Sequence, residues 1–427
     1  MRLSLLPALL GLLACSQDDA PKAPPAPPVS PIAAPTIPGA AGASTGGTLA
    51  AGGPFPSLLL TEAWFEQVDG KPKPGPARME IWQETPDGWT RSRLQDPESN
   101  VFHKAVQYDG GIITIGAEQA MVKKWTYADG AWSSKLLWKR SWGGKFDRIR
   151  DLEIGDVDGD GKDELVVATH DAGVVAVIEP EEADGTGKGV TELDQLADTF
   201  VHEIEIGDVD GDGKNEFFAT PSERNRANES QAGKVVMYKY QGGKYVRTVV
   251  EEEAGTHAKE ILATDIDGDG KSEFFSVFEA ATDANKNVIR PVTIRQYALG
   301  KDGSFTHTDI ATIDDRQTRF LVPGDFDGDG RQELVAAAMK TGLWYLDSAD
   351  GKTWTKTLID ANSGGFEHAC YAADLDGNGS LDLYVASDDQ HELRVYSFDK
   401  DTKTWSKQVI GSLDPTTITW NITTAQL

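Results

Sequence analysis

From about residue 55 to the C-terminus, polar and apolar residues alternate in short runs such as "HEIEIG" (202–207) and "LRVYSF" (393–398). A period of two over four to eight residues is the mark of a half-buried strand, and no segment carries the 3.6-residue period of an amphipathic helix. A second kind of run, "ELVVA" (164–168) or "EFFAT" (216–220), is apolar without interruption, as expected of a strand covered on both faces. The two kinds occur in a fixed order. An alternating strand leads into an acidic loop, then come the apolar strand, a third strand rich in aromatic or β-branched residues, a Gly-containing turn and a fourth strand. The last two strands align as "VVMYKYQGGKYVRTVV", "VTIRQYALGKDGSFTHTDI", "GLWYLDSADGKTWTKTLI" and "LRVYSFDKDTKTWSKQVI". Each reads as a hairpin with an aromatic just after the turn: Tyr245, Phe305, Trp354 and Trp405. The pattern predicts an all-β fold.

The acidic loops begin at Asp156, Asp208, Asp265, Asp325 and Asp374, at intervals of 52, 57, 60 and 49 residues. Repeats of this length point to blades of a β-propeller. Two more units lack the loop. "HKAVQYDGGIITIGAEQAMVKKWTYADGAWSSKLLW" has four strands and a bare Asp109-Gly-Gly turn. Near the start, "SLLLTEAWFEQV", "ARMEIWQET" and "GWTRSRLQD" supply three strands and lack an innermost one, which "TTITWNITT" at the C-terminus would complete. The expectation is seven blades over residues 55–427, with six or eight as the alternatives. Pairing of the two ends would remove the unpaired edge that an open array leaves.

Composition adds a leader, a tether and a charge. The N-terminus "MRLSLLPALLGLLACSQ" is an apolar stretch too short to span a bilayer, and it reads as a signal peptide over residues 1–15. Its "LLAC" resembles a bacterial lipobox, which would make Cys15 the lipidated first residue; a plain signal peptide with an incidental cysteine is the alternative. Ser16 after Cys15 fits an outer-membrane lipoprotein of the cell envelope. Residues 16–54 are rich in Pro, Ala and Gly and form a linker, not a core. The remaining cysteine, Cys370, is expected to be a buried thiol. With 41 Lys and Arg against 68 Asp and Glu, the formal charge of -27 argues against nucleic-acid binding. Much of that charge is local, since 19 of the carboxylates stand at the repeated loop positions.

In the loop pattern DxDGDGxxE, carboxylates stand at positions 1, 3, 5 and 9, and the backbone carbonyl of position 7 is free to point inward. Calcium takes six to eight hard oxygen ligands, and glycine at positions 4 and 6 allows the sharp turns that wrap nine residues around one ion. The predicted ligand sets are Asp156, Asp158, Asp160, Lys162 and Glu164; Asp208, Asp210, Asp212, Lys214 and Glu216; Asp265, Asp267, Asp269, Lys271 and Glu273; Asp325, Asp327, Asp329, Arg331 and Glu333; and Asp374, Asp376, Asn378, Ser380 and Asp382. Lys162, Lys214, Lys271, Arg331 and Ser380 enter only through their carbonyls. The last set exchanges one carboxylate for an amide and should bind most weakly. An EF-hand starts in the same way, but its last acid is at position 12 and a helix follows; here a strand follows at once. About five structural calcium ions are expected.

On these loops and strands the chain resembles the FG-GAP or VCBS repeats of the integrin α-chain propeller, strongly from about Arg148 to Ser412 and by strand pattern alone before that. The resemblance implies loops between the first and second strands of each blade and calcium as a structural ion. Proteins with such repeats include adhesion receptors, lectin-like binders and some polysaccharide lyases, so it leaves activity open.

In six units the residue six positions before the loop or turn Asp is basic: His103, Arg150, His202, Lys259, Arg319 and His368. These side chains should ring one mouth of the central channel, opposite the calcium loops, together with the long connections "PSERNRANESQAG" and "EAATDANKNVIRP". They make a candidate site for a polar or anionic ligand. The competing reading is pairing with Asp151, Glu153, Glu203, Glu205 and Glu260 on neighbouring inner strands. Trp89, Trp132 and Trp354 could stack on sugars, or pack between blades. No GxSxG, HExxH or phosphate-loop motif is present, and no catalytic residue is assigned. The expected function is a calcium-binding, lipid-anchored module for binding, adhesion or scaffolding, with a protein or carbohydrate ligand. The alternative is a lyase-like carbohydrate-active enzyme.

Overall fold

The computed structural model describes residues 56–427 except 144–146, 225–229 and 286; the leader, Cys15 and the whole linker lie outside the described residues. Seven antiparallel sheets surround a central axis. Blade I is closed by the C-terminal strand Thr417–Ala425, which pairs with Ser57–Val68 and becomes the innermost strand of a sheet that continues through Ala77–Thr85 and Gly88–Asp96. Blades II to VII follow in chain order, each with four strands numbered from the axis outward. Their innermost strands are Phe102–Tyr108, Ile149–Gly155, Thr199–Gly207, Ala258–Thr264, Thr318–Gly324 and Cys370–Ala373. Lys71–Pro74 adds a short ribbon to blade I, and Ala281–Thr282 pairs with Val288–Arg290 as a small extra hairpin inside the connection "EAATDANKNVIRP".

The uninterrupted apolar runs are the second strands. Every residue of Gly111–Gly116, Glu164–Thr169, Glu333–Ala338 and Asp382–Ser387 is buried, because each sheet is covered on both faces by neighbouring blades. The core is correspondingly a series of interblade layers. One joins Ile113, Val122 and Leu137 of blade II to Leu152, Leu165 and Val174 of blade III. The aromatic that follows each outer turn packs into these layers: Trp354 lies 5.9 Å from Phe275, and Trp405 5.2 Å from Phe326 of the preceding blade. Trp89 likewise meets Tyr384 across the closure seam at 6.1 Å, and Trp132 meets Tyr127 at 5.1 Å. Outer strands carry the exposed charge.

The inner strands of blades II to VI share one irregularity. Their pairing with the second strand slips at the basic position: Arg150, Lys259 and His103 are each an extra residue between two paired ones, and the slips of blades IV and VI bracket His202 and Arg319. Such a bulge interrupts the strict alternation of faces. Consecutive residues therefore both reach the channel, as His103 and Lys104, Arg150 and Asp151, and Arg319 and Phe320 do.

Candidate metal loops and the central channel

The five loops connect first and second strands on one end of the propeller. Their geometry is local. In the loops at 156, 208 and 265 the carboxylate of position 1 accepts the N–H groups of positions 4 and 6, as in Gly159 N–H to Asp156 Oδ1 at 2.7 Å and Gly161 N–H to Asp156 Oδ2 at 2.9 Å. Both glycines have positive φ, +80° and +87°, which a side chain would strain. The position-9 acid reaches back to the N–H of position 2: Val157 to Glu164 at 2.9 Å, Val209 to Glu216 at 3.2 Å, Ile266 to Glu273 at 2.9 Å and Phe326 to Glu333 at 2.9 Å. Position 2 is an anchor that the sequence reading did not single out. Val157, Val209, Ile266, Phe326 and Leu375 are all buried, and the apolar residue between the first two aspartates was the available signal.

One oxygen of each position-9 Glu is thus held by the backbone. In Glu164 the other, Oε1, is buried with no partner, as is Oδ1 of Asp325. A buried carboxylate oxygen without a donor is costly, and a cation at the loop centre removes the cost. Burial together with neighbouring carboxylates pushes Glu164 and Glu333 up to about 7, and Glu216, Glu273 and Asp382 upward from the ordinary range. Ligand-capable oxygens converge in Asp325, Asp327, Asp329 and Glu333; in Asp156, Asp158 and Glu164; in Asp208, Asp210 and Glu216; and in Asp265, Asp267 and Asp269. These oxygen-only sets fit a hard divalent cation, although in the loop at 208 the Lys239 ammonium already lies against Asp210 and Glu216. The carboxylates of Asp374, Asp376 and Asp382 do not converge in the same way.

The channel is a different environment. All seven inner strands enclose a cavity of about 510 Å³. Along one side stand Asp151, Glu153, Glu203, Glu205 and Glu260; Phe320, Val322, Tyr371 and Trp420 form the other. Of the six predicted bases, His103, Arg150 and Arg319 line the cavity. His202, Lys259 and His368 are buried away from its wall, with 1%, 5% and 0% exposure. The ammonium of Lys259 donates to the His202 ring at 3.1 Å, and burial lowers its pKa to about 7. His202 lies between His170 and His257, with ring centroids 5.0 and 5.4 Å away. His368 donates to or accepts from Ser363 at 2.8 Å and the Ala338 carbonyl lies 2.7 Å from its Nδ1; burial lowers it to about 4.

The pairing of charges differs from the arrangement expected of the sequence. Asp151 and Glu153 are engaged by Lys104, Asp151 at 3.0 Å, and Lys104 had no assigned role. Arg150 reaches Glu203 only at 3.9 Å and Glu367 at 3.1 Å, while Arg319 pairs with Glu367 and with Glu279 at 3.7 Å. Glu367 just precedes the last inner strand, where His368 adopts a left-handed φ of +57°. Three of the wall carboxylates instead accept N–H groups of the next blade: Asp151 from Ile204 at 2.8 Å, Glu260 from Leu321 at 3.3 Å and Glu205 from Ala263 at 3.4 Å. Inner-strand edges have no further strand to pair with, and these acids satisfy them. Burial pushes Glu203, Glu205 and Glu260 well above the ordinary carboxylate range.

A model of the FG-GAP-like repeat matches residues 156–219, 265–336 and 325–385. Rhamnogalacturonan exolyase YesX of Bacillus subtilis (strain 168) is 25% identical over 234 residues, covering 43% of this chain and 37% of that enzyme, so the chain spans little more than a third of this relative. Among solved structures, a protein from Lactobacillus plantarum superposes with a TM-score of 0.54 at 14% identity, covering 87% of this chain and 99% of that one. An apocarotenoid oxygenase mutant of Synechocystis gives 0.53 at 10% identity, over 87% and 93% of the two chains. The periplasmic gluconolactonase of Pseudomonas aeruginosa gives 0.50 at 14%, over 87% and 100%. At these identities the likeness is one of fold. This chain is a seven-bladed β-propeller carrying FG-GAP-like repeats.

Proposed function

We propose that the protein is a calcium-stabilised binding module, tethered to the cell envelope through Cys15 and its linker, whose ligand is a short neutral saccharide in the central cavity. The observation that carries this reading is the cavity wall itself, carboxylates on one side and aromatic or aliphatic surface on the other. A sugar presents hydroxyls to the first and C–H faces to the second. The cavity's Lys and Arg side chains are already taken by Lys104–Asp151, Arg150–Glu367 and Arg319–Glu367 pairs. With Glu203, Glu205 and Glu260 held toward their neutral form by burial, the wall offers hydroxyl-binding acids and no open cation, which sharpens the expected polar or anionic ligand to an uncharged one. Calcium in the loops would keep the first hairpins closed, and the orphaned oxygens of Glu164 and Asp325 support it.

The relationship to a rhamnogalacturonan exolyase favours a second reading, elimination on a pectin-like polymer by a basic residue with metal assistance. One experiment separates the two. Neutral and acidic oligosaccharides are titrated into the protein by calorimetry, and the mixtures are analysed for unsaturated sugar ends. Binding of neutral sugars without new ends, weakened by Glu205→Gln, supports the binding module. Unsaturated ends from an acidic polymer would replace it with the lyase.

A further inference from the structure

The loops share their first nine positions but differ in a tenth group, the third-strand residue across from the position-9 acid. From the pairing of Leu165 with Ile178, Phe217 with Tyr238 and Leu334 with Leu346, this residue is Glu179 beside loop 156, Lys239 beside loop 208 and Asp347 beside loop 325. The remaining two loops have Ala298 and Ser397. In one loop alone among the described residues is the group a cation. The Lys239 ammonium contacts Asp210, lies 2.8 Å from Asp212 Oδ2, and forms an ion pair with Glu216 Oε1 at 2.7 Å, off the hydrogen-bond axis. Its side chain is 17% exposed, so it lies along the loop with little of it in solvent. It touches the acids of positions 3, 5 and 9, three of the four carboxylates that a metal ion would use.

We infer that Lys239 is the resident cation of loop 208–216, closing that loop without calcium and excluding the ion that the sister loops take. The inference rests on the calcium reading of those loops. An ion entering here must expel an ammonium from three carboxylates, and the expelled charge stays tethered nearby. At loop 156 the corresponding Glu179 adds a negative charge, and Glu164 Oε1 is left without a partner. The two loops are thus oppositely prepared by a single position. One consequence is that blade IV keeps its first hairpin when calcium is scarce.

The test counts calcium bound per chain, by equilibrium dialysis of the full chain followed by metal analysis. Lys239→Met keeps the aliphatic stem and removes the charge; one additional ion per chain is expected. Glu179→Lys places an ammonium at the matching position of loop 156 and should remove one ion. Melting in chelator and in calcium provides the second measurement: Lys239→Met should melt lower than wild type in chelator and recover in calcium. An unchanged count in both variants, with no such recovery, overturns the role of Lys239. A wild-type chain that binds no calcium instead overturns the calcium reading on which it rests.

Discussion

The molecule holds two sets of crowded carboxylates, and they have opposite states of satisfaction. In the loops, the acids of positions 1 and 9 spend oxygens on the loop's own N–H groups and leave others, such as Glu164 Oε1 and Asp325 Oδ1, buried without a donor. On the channel wall, Lys104 covers Asp151 and Glu153, and three wall acids cap the strand edges of the next blade. Equal charge density therefore has unequal meaning. What decides it is whether the fold supplies donors, which the innermost strand edges do and a nine-residue loop cannot do for all its oxygens.

The largest effect should come from removing the ions. Each site held at a hundredfold excess over its Kd stabilises the fold by about 2.7 kcal/mol, so chelation should lower the melting temperature strongly, and a melting curve indifferent to chelator would abolish the distinction between the two sets. Next is Glu367→Ala, which leaves Arg150 and Arg319 in the channel wall with only their distant contacts to Glu203 and Glu279. Breaking such a buried pair costs about 3–5 kcal/mol, to be read by urea unfolding with the same loss with and without calcium. Glu164→Gln should cost at most about 2.7 kcal/mol in calcium and little in chelator, with one ion fewer per chain.

The most diagnostic effect is a pH dependence. Glu260 has its folded pKa raised well above the ordinary carboxylate value of 4.5, chiefly by burial. Its contribution to stability is then complete below pH 4.5 and is lost as pH rises through the folded value. Glu260→Gln keeps an acceptor for the Leu321 N–H and removes the titration. Relative to wild type it should gain up to about 1.4 kcal/mol per pH unit between pH 5 and the folded pKa. Urea unfolding at pH 5 and pH 8 measures this; an equal difference at both would mean that the channel acids are as solvated as the loop tips.

Residues near in sequence were legible, and residues near only in space were not. The period of the blades, the order of strands and the closing role of "TTITWNITT" follow from alternation and repeat length, because each blade is a local antiparallel meander. The channel was read with the right strands and, apart from the distant Arg150–Glu203 pair, other partners. Alternation assumes one residue per step, and the bulges at His103, Arg150 and Lys259 add one. Glu367, which pairs with Arg319, is not among the acids expected there because it lies outside the strand pattern, next to the left-handed His368.

By itself the sequence determined the fold class and the candidate metal loops, since all the acidic groups of a loop lie within nine residues and spacing plus glycine conformation places them. Only the tertiary structure decided which charges remain open. Glu367 meets Arg150 from 217 positions away and Lys239 reaches back 27 positions to Asp212, distances over which blade number, strand register and bulges set the neighbours. The energy of a charge depends on those neighbours, and they are fixed by the closing of the ring.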